Sequence, residues 1–160
     1  MLSVVWKFCF FCYKIAIEGG IFMPELAFIT IAESTQNIMT PNGPNPQLTG
    51  PLIVLRPPVL PTAFSFALSI GVRGVDHTQN NLCRFRICAP DGGEIFDQPP
   101  FALGQESQSS AHLPKEYQGF VLVADLRNVM FNVAGCYSIE VYLNDVLIGA
   151  TKLPVFLKDE

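Results

Sequence analysis

The chain has 160 residues, of which 49% are hydrophobic and 11% aromatic, 13 of them Phe. Only 15% are charged, well under the roughly 25% of an average domain, and the net charge is −4. This excludes a disordered chain, points to one domain with an uncharged surface suited to a partner, and offers no basic face for nucleic acid.

The first twenty-two residues stand apart. Met1 to Phe22 hold Trp6, Cys9, Cys12 and several Phe, with Lys7, Lys14 and Glu18 as their only charges. A secretory signal would want a stronger positive start and a small-residue cleavage site. A membrane span would want about 18 uninterrupted apolar residues. Neither pattern is present, and no membrane association is expected. Glu18-Gly-Gly-Ile-Phe-Met23 instead spells, in reverse translation, a purine-rich bacterial ribosome-binding site ahead of an ATG. Residues 1–22 are therefore expected to be upstream sequence, with the working domain at 23–160, carrying 8 Lys and Arg against 13 Asp and Glu. The gene's codons test this: no purine run at positions 18–20 would overturn it. The expectation carries a bacterial or mobile-element origin with it.

From Met23 onward the chain reads as short strands. Leu26 to Glu33 alternates, with Leu26, Phe28, Thr30 and Ala32 on one side and Ala27, Ile29 and Ile31 on the other. Both sides are apolar, so the inward one stays open. Ser34 to Gly50 is rich in Pro, Asn and Gly and reads as a long loop, because proline lacks the ladder N–H. Pro51 to Leu55 is a short apolar strand stopped by Pro57-Pro58. Thr62 to Val72 sets Phe64, Phe66, Leu68 and Ile70 against Ala63, Ser65, Ala67 and Ser69, a core strand with one small-residue face.

Leu82 to Ala89 places Cys83, Phe85 and Ile87 inward and Arg84 and Arg86 outward. Pro90-Asp-Gly-Gly93 is a turn, and Glu94 to Asp97 a short return strand. Gln98 to Pro114 reads as a second long loop. Gly119 to Leu126 is again strand-like. Gly135 to Gly149 is the plainest hairpin: Tyr137, Ile139, Val141 and Leu143 alternate with Ser138, Glu140 and Tyr142. Asn144-Asp145 then tolerates the left-handed angles of a tight turn, and Val146 to Leu157 returns. Seven to eight short strands, no convincing helix and no internal repeat predict an all-β fold, a single antiparallel β-sandwich.

Asn132-Val-Ala-Gly-Cys-Tyr137, followed by an alternating strand, a polar turn and a strand ending Leu153-Pro-Val-Phe156, is similar to the closing hairpin of immunoglobulin-like sandwiches, where Gly-x-Tyr opens the penultimate strand. Residues 23–160 as a whole resemble small bacterial proteins of an uncharacterised, domain-of-unknown-function family. The resemblance implies an immunoglobulin-like or C2-like fold and no activity, since fold does not carry function.

The residues that could carry chemistry do not assemble into a site. Cys9-x-x-Cys12 is a single pair without a second at metal-ligand spacing. Cys83 and Cys136 read as small apolar strand residues, and Cys88 faces away from Cys83, so those two should not bridge. That usage fits a reducing compartment and a cytoplasmic protein. His77 and His112 lie in polar loops without clustered ligands. His112 stands near Ser107, Ser109 and Ser110, but no Gly-x-Ser-x-Gly elbow is present. An enzyme would need convergence of distant residues such as His77 and Asp91. Asp91, Glu94 and Asp97 are too few oxygens for calcium. No metal or cofactor is expected.

Long loops on a rigid scaffold carry binding, so the predicted function is a non-enzymatic module that binds a protein partner or self-associates through a sheet edge. Asn42 and Asn45 in the first loop, with Phe101, Tyr117 and Tyr142 as candidate exposed aromatics, are the predicted binding residues. A small-ligand or carbohydrate-binding sandwich is the alternative, and it would want those aromatics clustered.

Overall fold

Asn144 and Asp145 have φ of 50° and 64°, the paired left-handed angles of a type I′ turn. They join two strands of a computed structural model that describes residues 23–41, 43–76, 78–103 and 113–158. Its strands are β1 (Glu25–Thr40), β2 (Gly43–Leu52), β3 (Thr62–Arg73), β4 (Leu82–Cys88), β5 (Glu94–Ala102), β6 (Gly119–Phe131), β7 (Gly135–Leu143) and β8 (Val146–Val155). A 3-10 turn, Lys115–Tyr117, precedes β6. They form two antiparallel four-stranded sheets, ordered β2-β1-β3-β6 and β5-β4-β7-β8. The protein is an eight-stranded β-sandwich, as the period-two pattern predicts.

The inner faces are filled by the alternating apolar residues. Tyr137, Ile139, Val141 and Leu143 of β7 are buried, as are Phe66, Leu68, Ile70 and Val72 of β3, and Cys83, Phe85 and Ile87 of β4. Aromatic rings bridge the two layers. Phe131 meets Tyr137 edge-on at 5.0 Å between centroids, and Phe66 lies 6.2 Å from Phe131. Phe85 stacks on Phe96 of the neighbouring strand. Burial raises the Cys83 thiol to about 11, so it is an inert core thiol.

Several boundaries differ from the sequence reading, each for a local reason. Ser34 to Gly50 is not a loop: it is the far half of β1 and most of β2, two strands paired as far as Thr40 and Gly43. Pro44 and Pro46 are tolerated because β2 is an edge strand. Their spacing of two puts both missing N–H groups on one side. Pro51 to Leu55 is not a separate strand: β2 ends at Leu52, and Leu55 makes one isolated bridge to Val155.

Gln98 to Ala102 is strand rather than loop, with Pro99 and Pro100 again on an edge. β6 continues five residues beyond Leu126 because a register shift opposite Ser65 absorbs one residue. There Asn128 takes φ 55° and donates its N–H to Ser65 Oγ at 3.1 Å. A second shift after Leu26 turns that side chain inward with Ile29 and Ile31, leaving Phe28, Thr30 and Ala32 on the outer side. Cys136 is exposed, not a core residue, since it shares the outer parity of Ser138 and Glu140; Cys88 does face away from Cys83, and all three described cysteines are free.

Residues 1–22, Asn42, His77 and 104–112, which include Cys9, Cys12, Ser107, Ser109, Ser110 and His112, lie outside the described residues. No helix among the described residues is long and apolar enough to cross a membrane.

Candidate functional site

Three surface features carry the chemistry of this molecule. The first is the outer face of the second sheet. Strand alternation puts Arg84 and Arg86 outward, and the register sets Arg84 opposite Tyr142 and Arg86 opposite both Glu140 and Asp97. The side chains close into one network. Arg84 donates Nε and Nη2 to the two oxygens of Asp97, both at 2.7 Å. Arg86 donates Nε to Glu140 Oε2 at 2.7 Å, and the Tyr142 hydroxyl donates to the same oxygen at 2.6 Å. Both guanidinium groups lie over the Tyr142 ring, at 5.9 and 5.2 Å. Glu94 stands 3.8 Å from each arginine.

The electrostatics follow from these contacts. The Arg84 hydrogen bond holds Asp97 below the usual carboxylate range. The Tyr142 hydroxyl, then Arg86, does the same for Glu140. Partial burial, then the bond to Glu140, pushes Tyr142 up. Both arginines are committed to carboxylates, so the face offers no open anion site. Its work is to pin β5, β4 and β7 in register. Because both carboxylates titrate lower when folded, their stabilisation is complete above the unfolded range near about 4 and is lost as pH falls through the lower folded values. The urea midpoint is therefore expected to hold from neutral pH to about 5 and to drop below about 4. The drop should be smaller in Glu140→Gln, which lacks one of the titrating groups.

The second feature is a cleft of about 230 Å³ on the outer face of the first sheet, between Phe28, Tyr117 and Val121, with Arg73 at its rim. Its floor is Gly71. The Phe28 ring lies across that glycine so closely that a Cβ there would be 2.6 Å from Phe28 Cδ1. The small face of β3 thus makes room for a large side chain from β1. Arg73 is paired with Glu25. Tyr117 is 62% exposed on its 3-10 turn.

The third feature is an arm. β1 pairs with β3 only as far as Ala32, whereas its pairing with β2 runs on to Thr40. The seven residues Ser34 to Thr40 therefore carry a two-stranded ribbon beyond the β3 pairing, roughly 23 Å long at strand rise. Near its tip Ile38 and Met39 are exposed, Met39 at 77%. A lone two-stranded ribbon is marginal in water, so apolar side chains at its end gain by being covered.

The predicted binding residues are distributed over these features and do not meet. Asn45 is exposed on the arm, directly opposite Ile38. Tyr117 lines the cleft. Tyr142 belongs to the arginine network on the other sheet. Phe101 is a correction: it pairs with Cys83 and packs against the core, because β5 extends through it with the inward parity. Asp91 accepts the Gly93 N–H at 2.9 Å and so shapes its own turn, while Asp97 and Glu94 serve the arginines. Among the described residues no group of three or more His, Cys, Asp or Glu is placed to hold a metal ion. Sequence reasoning missed Phe28, whose signal was the glycine in the small face of β3. It also missed Ile38 and Met39, whose signal was the Asn-Gly dipeptide at 42–43 just beyond them, a sequence that favours hairpins.

These features define an all-β sandwich module with a self-neutralised sheet face, an aromatic cleft and a projecting ribbon. The chain belongs to a family of unknown function (DUF6941), whose model matches residues 48–156. That span holds β3 to β8 entire and begins near the base of the arm. No curated protein matches the chain.

Proposed function

We propose that this protein is a non-enzymatic, immunoglobulin-like module that binds another protein through the β1–β2 arm. The observation that carries the reading is the apolar tip of the arm, Ile38 and Met39, held out past the pairing that anchors β1 to the body. A ribbon with an exposed apolar side chain on each face is suited to insertion into a groove or to pairing with a partner's strand.

The immunoglobulin-like assignment is supported by strand order. With β1, β3 and β6 as strands A, B and E, and β5, β4, β7 and β8 as C′, C, F and G, the two sheets take that arrangement, and β2 is an addition beside A. It is further supported by Tyr137 near the start of the F-equivalent strand, whose hydroxyl donates to the Val133 carbonyl at 2.9 Å, a tyrosine corner. A non-enzymatic role is supported by the described carboxylates of the arginine network and the Asp91 turn, all engaged in structural bonds. A reducing, cytoplasmic setting is supported by the buried free thiols Cys83 and Cys88, and a bacterial or mobile-element source by the Glu18-Gly19-Gly20 spelling before Met23.

The test is a paired capture from host lysate with the wild-type chain and with I38D/M39D. The expected result is a stoichiometric protein held by the wild type and released by the variant, with the thermal midpoint unchanged, because both side chains are solvent-facing. The same proteins recovered with both chains would sink the arm as the binding element.

A second reading has its own observation. The cleft walled by Phe28 and Tyr117 has the aromatic sides and the size to seat the apolar face of one sugar ring. Titration with a monosaccharide panel, read by amide shifts, separates the readings: shifts at Gly71 and Val121 would favour the cleft, and none would leave the arm.

A further inference from the structure

Four strands form the edges of the two sheets: β2 and β6 in one, β5 and β8 in the other. Exposed edges template pairing with another chain, and proline, charge or a bulge blunts them. β2 contains Pro44, Pro46 and Pro51, β5 contains Pro99 and Pro100, and β8 contains Lys152 and Pro154. β6 contains no proline. Its bulge lies at its far end, and Gly119 to Ala124, Gly-Phe-Val-Leu-Val-Ala, carries no charge.

That half of β6 also pairs regularly. From Leu126 opposite Phe66 to Gly119 opposite Arg73 the register with β3 never shifts. It gives a straight ladder of eight residues, roughly 26 Å long, whose other side is unpaired among the described residues.

The core is unfinished along the same line. The inward residues Val72, Ile70 and Leu68 of β3 are at most 3% exposed. Their neighbours on β6, Phe120, Leu122 and Ala124, face the same core and remain only half-buried. A further strand beside β6 would cover them. Outward, Val121 is 61% exposed.

We propose that this edge pairs with the same edge of a second copy of the chain, joining two sheets into one continuous eight-stranded sheet across a two-fold axis. The sequence of the edge fits itself. A two-fold perpendicular to the sheet keeps inner residues opposite inner ones. Centred on Leu122, it sets Phe120 against Ala124 of the second copy, large against small, and Leu122 against its own copy. On the outer side Val121 meets Val123 of the second copy, and Asp125 falls opposite Gly119, so no like charges face each other. The interface is isologous and closes at two. Seven residues of ladder, Gly119 to Asp125, make a small contact, so the dimer dissociates on dilution. The inference goes beyond the arm reading and does not rest on it: I38D/M39D is expected to dimerise like the wild type.

Sedimentation of the full chain between about 1 µM and about 1 mM, the span from moderate to weak affinity, should show a mass rising from 17.6 kDa toward twice that value. V121K, at an exposed position, should shift the midpoint several-fold to about tenfold to higher concentration, because the two-fold replaces two apolar Val121–Val123 cross-strand pairs by two Lys–Val ones. V121K mixed with V123E should recover the dimer, because the two changed positions are opposite each other. Hydrogen exchange on the wild type needs no variant. The amides of 119–126 whose N–H groups point away from β3 should exchange more slowly as concentration rises. A monomer throughout, a dimer indifferent to V121K, a mixture that stays monomeric, or edge amides insensitive to concentration would each overturn the pairing.

Discussion

Tyr137→Ala is expected to cost about 3–5 kcal/mol of folding stability, while Tyr137→Phe costs only about 1–2. Tyr137 is fully buried, and its ring meets Phe131 edge-on at the centre of the sandwich. Truncation removes that ring and opens a cavity that a two-layer fold with Phe66 on its far side cannot collapse. The hydroxyl is a separate matter. It donates to the carbonyl of Val133, four residues earlier, and accepts weakly from the same residue's N–H at 3.4 Å, which ties the turn between β6 and β7 to the strand that follows. Phenylalanine keeps the ring and leaves that carbonyl without its donor. At roughly 2–4 °C per kcal/mol for a chain of this size, the alanine variant should melt about 10 °C or more below the wild type, and the phenylalanine variant only a few degrees below. Equal losses would mean that the hydrogen bond, not the ring, dominates this position.

Much of this architecture is legible in the sequence because a half-buried strand must alternate. β7 declares itself through Tyr137, Ile139, Val141 and Leu143, and its turn through two residues that accept left-handed angles. β3 and β4 declare their inner faces in the same way, and Arg84 and Arg86 their outer one. What alternation does not reveal is pairing. Proline was read as forbidding a strand at residues 41–46, when it forbids only a central one. Pro44 and Pro46 of β2, with Pro99 and Pro100 of β5, instead mark the strands that end up on edges. The register shifts at Leu26 and at Asn128 were also silent, because each depends on the strand alongside. The arginine network illustrates the same limit. Arg84, Glu94, Asp97, Glu140 and Tyr142 are spread over 59 positions and three strands. Only the lateral order β5-β4-β7 brings them within 4 Å of one another's charged or hydroxyl groups.

The edge strand β6 depends on a close approach at its first residue, and this yields the other large expected effect. Gly119→Ala should cost about 3 kcal/mol, at the upper end of overpacking penalties. A Cβ on Gly119 would overlap the Val72 carbonyl oxygen and lie 2.8 Å from Arg73 Cα. Both are backbone atoms of the paired strand, so no side chain can rotate away. β3 and β6 would have to part where Gly74 and Val75 donate their N–H groups to the Gln118 carbonyl at 2.7 and 3.3 Å. Amide shifts should therefore move along 72–75 and 118–121, on both strands. Gly92→Ala is the informative comparison. Nothing lies within 4 Å of a Cβ there, but its φ is +87°, so the cost is intrinsic to the backbone, about 1–2 kcal/mol, and its shifts should stay within the Pro90–Gly93 turn. A Gly119→Ala chain as stable as the wild type would mean that β6 slides at its start without loss. The straight ladder that makes its outer edge self-complementary would then not be a fixed feature of the fold.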